Sequence, residues 1–138
     1  MKLRITGNSI RLRLGQSEVR RLVREDVVEE SITFDSSRGQ RLSYVLCTGP
    51  NLLVATADYQ ESRIVIRLRT ALAREWASSD QIGIEAIQVS GDGGILRILI
   101  EKDLECIDAA SDESQADAFA HPQRGVSCLP ENQIARSR

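Results

Sequence analysis

The sequence predicts an α+β, β-rich fold: a small barrel made of two strand-helix-strand-strand repeats about a pseudo-twofold axis, followed by an acidic C-terminal tail. Three observations predict it. Ile10-Arg11-Leu12-Arg13-Leu14 alternates strictly between apolar and charged residues, the period of a strand with one buried face. Val19, Leu22 and Val23 follow at i, i+3, i+4, the apolar stripe of a short helix. A shift of 54 positions then lays Ile10 on Ile64, Arg13 on Arg67, Leu14 on Leu68, Asp26 on Asp80, Gly39 on Gly93 and Leu42 on Leu96, with the element types in the same order. The repeats run over 3–48 and 57–102 and share one domain, 1–102; the tail is 103–138.

Element by element, Leu3 and Ile5 carry the alternation ahead of a turn at Gly7-Asn8, and the strand through Leu14 follows. Ser17 is the expected N-cap of a helix of about two turns that ends near Asp26. Strands over 28–34 and 41–48 flank the turn-forming stretch Asp35-Ser36-Ser37-Arg38-Gly39. In the second repeat, Ile64–Arg69 is a strand, Leu72, Ala73 and Trp76 mark a helix, and strands begin at Ile82 and Ile95 around Gly91-Asp92-Gly93-Gly94. The 54-residue alignment needs no gap. Parity differs in the third element, where Ile32 and Phe34 meet Ala86 and Gln88, and a bulge accounts for that. Trp76 falls where the first repeat has Leu22, on the inward face of its helix, and is expected in the core.

Composition narrows the function classes. With aromatics at 4%, Leu, Ile, Val and Ala must fill the core. No apolar run approaches the roughly 20 residues that span a bilayer, and charges interrupt Met1-Lys2-Leu3-Arg4-Ile5, so a cytoplasmic chain without membrane contact is expected. Cys47, Cys106 and Cys128 are odd in number and lack paired spacing, which reads as reduced thiols. A metal site from Cys106, His121 and Cys128 is outweighed by a buried thiol and a solvated tail, so no metal or cofactor is expected. Charge is asymmetric: residues 1–74 hold 13 Lys and Arg against 8 Asp and Glu, and residues 75–138 hold 5 against 12. The first half can approach phosphate and the second repels it.

Gly7-Asn8-Ser9 leading into a strand that ends in Arg13-Leu14, then a short helix, Asp26 before a strand and Gly39 in a hairpin, resembles the MazE/AbrB group of swapped-hairpin β-barrel proteins. Arg67, Leu68, Asp80 and Gly93 repeat part of the pattern, whereas Glu61-Ser62-Arg63 replaces the Gly-Asn-Ser turn. The resemblance implies two interleaved units closing one barrel, here within one chain, and a strand face that meets DNA. It also extends to a group of short uncharacterised bacterial proteins.

The expected nucleic-acid-binding residues are therefore Arg4, Arg11, Arg13, Arg67 and Arg69 on the solvent faces of two strands, brought together by the pseudo-twofold axis, with Asn8 added by the resemblance. Alternating arginines that merely keep a strand soluble, paired with Glu29, Glu30 or Glu85, are the competing reading. The acidic stretch Asp103–Asp117 is an alternative contact for a protein partner, as in MazE-like antitoxins. Nothing points to catalysis: Cys47 lacks a neighbouring histidine, Glu29 and Glu30 project to opposite sides of a strand, and Asp92 fits a hairpin turn. The expectation is a non-enzymatic binding module, with DNA or a protein as partner, in a monomeric pseudo-dimer or a homodimer.

Overall fold

The computed structural model describes residues 1–105 and 116–122. The alternating segments form β1 (Lys2–Thr6) and β2 (Ser9–Leu14), then α1 (Gln16–Glu25), β3 (Val27–Asp35), β4 (Gln40–Gly49), β5 (Ala55–Gln60), β6 (Arg63–Arg69), α2 (Thr70–Ser78), β7 (Gly83–Val89) and β8 (Ile95–Lys102). Asp26 ends α1 in the left-handed conformation at φ 63°, its N–H donating to the Leu22 carbonyl. That single residue turns the chain straight into β3. The N-cap of α1 is Gly15 rather than Ser17, so the capping oxygen expected from Ser17 comes from elsewhere.

Four strands make each of two sheets, in the orders β1-β2-β8-β7 and β3-β4-β6-β5. Each sheet joins a hairpin from the first half of the chain to one from the second half. The joints are parallel: Ser9 stands opposite Arg97 and Leu14 opposite Lys102, while Ser43 stands opposite Arg63 and Thr48 opposite Leu68. Because side chains alternate across a strand, each sheet turns one set inward. Leu12, Leu14, Ile98 and Ile100 from one sheet meet Leu46, Ile64, Ile66 and Leu68 from the other in a single core, closed by Val19 and Leu22 of α1 and Ala73 and Trp76 of α2. Trp76 is fully buried, and its indole N–H donates to the Ile82 carbonyl at 2.9 Å, so its one polar group is not left unpaired.

Two expectations need correction. The strands do not close into a barrel; the fold is two open four-stranded sheets packed over one core. One seam shows what stands in place of a closing ladder. Gln88 on β7 takes the Ala57 N–H of β5 at 2.7 Å and donates its own amide to the Ala57 carbonyl at 2.9 Å. A side chain thereby satisfies backbone groups that a continuing ladder would have paired. The ungapped alignment also fails locally: Val28 pairs with Leu46 and Ile84 with Ile100, so β4 and β8 keep the spacing of 54 whereas β3 and β7 differ by 56. The bulge lies in β3, between Thr33 and Asp35.

Candidate nucleic-acid interface

The first sheet turns its odd-numbered β2 residues away from the core, and the register makes rows of them. Lys2, Arg13, Glu101 and Gly83 form one row, and Arg4, Arg11, Leu99 and Glu85 the next. Thr6, Ser9, Arg97 and Ile87 form a third. Five cations share this face with two carboxylates. Glu101 lies 3.4 Å from the Arg13 Nε and 3.7 Å from the Arg11 Nε, Glu85 holds Arg97 at 2.7 Å, and Asp103 holds Lys2 at 2.7 Å. Arg4 has no ion pair among the described residues, yet it stands directly opposite Arg11. Together with Thr6 and Ser9 these two arginines line a recess of about 190 Å³.

Asn8 has a structural task as well. Its side-chain amide donates to the Ile95 carbonyl, and its own carbonyl accepts the Arg97 N–H at 3.1 Å. Asn8 ties the β1–β2 turn to β8 and so fixes the height of the basic rows.

The other arginines sit on the second sheet. Arg67 is exposed on its outer side, above a recess of about 560 Å³ that Cys47, Asp58 and Arg63 also line. Burial pushes the Cys47 thiol above its ordinary value, and Arg67 and Arg63 only partly oppose this, so the group stays protonated near neutral pH and is no ready nucleophile. Arg69 is half-buried at the entry to α2, with its Nε enclosed and without a hydrogen-bond partner. Both sheets point their arginines away from the core that separates them. The two sets expected to converge therefore lie on different sheets.

Two features escaped the sequence reading. Lys102 is 7% exposed, its ammonium 2.5 Å from the Ser79 carbonyl at the end of α2, with the rings of Trp76 and Phe119 at 5.9 and 5.4 Å. Burial lowers its basicity and Asp80 partly restores it. It lines a cleft of about 590 Å³ with Asp80, Leu104 and Phe119. Position was the signal, since Ile98, Ile100 and Lys102 share one side of β8. The second feature is the return of the chain: Leu104 and Phe119 form a parallel bridge, and Asp117 accepts from the first turn of α1. Of the trio Cys106, His121 and Cys128, the two cysteines lie outside the described residues, and among the described residues no group of three potential metal ligands occurs.

Residues 1–123 match a family described as a Family of unknown function, DUF7009. The chain belongs to DUF7009. No curated protein and no solved structure matches this DUF7009 chain, and no homology to MazE/AbrB proteins is shown. None of its described helices is long and apolar enough to cross a membrane.

Proposed function

We propose that this DUF7009 chain is a non-enzymatic binding module, a single-chain pseudo-dimer of two MazE/AbrB-like units, whose β1–β2–β8 face binds nucleic acid. The pseudo-dimer reading is supported by the matched registers: the Ser9–Arg97 pair shifted by 54 positions becomes the Arg63–Ser43 pair, with both joints parallel. Equivalent turns agree, since the Arg97 N–H donates to the Asn8 carbonyl and the Ser43 N–H to the Ser62 carbonyl.

One observation carries the functional reading. Like charges placed directly opposite on neighbouring strands cost stability, and here Arg4 opposes Arg11 while Lys2 opposes Arg13. An arrangement that costs the free protein something is what a polyanion would reward, through phosphate contacts and bidentate guanidinium geometry. The acidic-tail alternative is less supported, because Asp103 and Asp117 already have partners within the chain.

The test is a salt titration of DNA binding. Arg4→Ala/Arg11→Ala is expected to weaken binding at low salt and to flatten the slope of log K against log salt by about 0.9 per lost phosphate contact, roughly 1.8 for both. Arg67→Ala, on the other sheet, is expected to leave binding unchanged. Binding by the wild type that is indifferent to Arg4→Ala/Arg11→Ala, or no binding at all at low salt, rejects the reading.

A further inference from the structure

The N-cap of helix α1, Gly15, has no side chain to cap with, yet the first donors of the helix are satisfied. The Gln16 N–H donates to the Asp117 carbonyl at 2.8 Å, the Ser17 N–H to Asp117 Oδ1 at 3.1 Å and the Ser17 hydroxyl to Asp117 Oδ2 at 2.6 Å. The Gln16 side-chain amide adds a bond to the Ala118 carbonyl at 2.9 Å. A segment 100 positions away thus supplies the cap of α1. Gly15 makes room for it. Its backbone, at φ −73° and ψ 175°, suits any residue, but a Cβ there would collide with the Asp117 carboxylate and stand 2.9 Å from its carbonyl oxygen. The glycine is required by the seated segment and not by the turn.

The same segment acts on the basic face. The Phe119 N–H donates to the Asp103 carbonyl at 2.7 Å, the Glu105 N–H to the Phe119 carbonyl at 2.7 Å and the Asp103 N–H to the Leu14 carbonyl at 2.8 Å. These bonds fix Asp103 at the end of β2, where its carboxylate meets Lys2 beside Arg13. The Ser17 hydroxyl above all, with smaller help from the positive charges of Arg20 and the amino end, holds the Asp117 carboxyl below its ordinary value.

We propose that Asp117–Phe119 is an internal strap, seated against Gly15 and the start of α1, that holds acidic groups at the Lys2–Arg13 end of the basic face and so competes with a bound polyanion. The proposal rests on the nucleic-acid reading above. Undocking the strap removes Asp117 and loosens Asp103. Taking one or two nearby negative charges away should tighten polyanion binding about three- to tenfold at low salt, a gain that fades as salt rises.

Gly15→Ala blocks the seat without altering charge, and Asp117→Ala removes the cap. The test compares both with the full wild-type chain by amide hydrogen exchange at Ser17 and Phe119, by Trp76 fluorescence as a control for folding, and by DNA affinity at low and high salt. Faster exchange at both amides with a folded core, and tighter binding at low salt only, is the expected result. Faster exchange with unchanged or weaker binding overturns the strap while leaving the nucleic-acid reading standing. Unchanged exchange in both variants overturns the seat itself. Absence of DNA binding in the wild type and both variants removes the functional reading and this inference with it.

Discussion

Lys102 occupies the inward side of β8 two residues beyond Ile100, and it shows why residue type misleads where position does not. Lysine at a strand end reads as solvated, but the long stem lies along apolar surface while the ammonium reaches the Ser79 carbonyl just past α2 and two ring faces. Continuing the alternation of Ile98 and Ile100 by two residues reaches Lys102, a step the sequence reading did not take. Asn8, assigned to ligand contact by resemblance, has a structural task that the resemblance did not name: it holds a turn against β8. Tyr44 supports a prediction at this scale. Burial, with the hydrogen bond its hydroxyl donates to Glu30 at 2.9 Å, pushes the phenol up to about 12 from 10.0. A raised acid group adds stability that is fully present below the unfolded value and is lost as pH rises through the folded one. Unfolding free energy is therefore expected to fall between pH 10 and 12 more steeply in the wild type than in Tyr44→Phe, as urea melts across that range will show.

At the scale of elements, strands and helices were readable because period and turn residues are local signals. Strand partners were not. A two-residue periodicity fixes which side of a strand is buried but does not name its neighbour, so open sheets, with Gln88 bridging a seam, lay outside its reach. The displaced register of β7 has a similar cause, since two additional residues between α2 and the strand preserve parity and leave no trace in the alternation. The β5–β6 turn is another instance. Glu61 and Ser62 both adopt positive φ, 52° and 61°, which is the geometry that Asn-Gly serves best in a two-residue hairpin. Glu61→Asn/Ser62→Gly is expected to stabilise the protein by about 1 kcal/mol, visible as a higher urea midpoint at unchanged slope. The strap was illegible for the same physical reason as the sheet order: Asp117 has no local partner, and nothing near Gly15 announces a contact 100 residues away.

At the scale of the whole molecule, each sheet depends on both halves of the chain. A fragment ending at residue 50 retains β1 to β4 but loses β6 and β8, the partners of β4 and β2. It is expected to lack cooperative unfolding alone, and mixing it with residues 51–138 is expected to restore the buried environment of Trp76, followed by fluorescence. Spontaneous folding of the first fragment to a stable monomer would contradict this architecture.

The two parallel joints also set an order of assembly. In the second sheet Ser43 and Arg63 are 20 positions apart, whereas in the first Ser9 must wait for Arg97, 88 positions later. Closing the longer loop costs more chain entropy. During synthesis β3 to β6 can pair soon after they emerge, while β1–β2 stays an unpartnered hairpin until β8 leaves the ribosome. The basic rows are carried on that waiting hairpin, so the face proposed to meet phosphate is completed only once β8 is made.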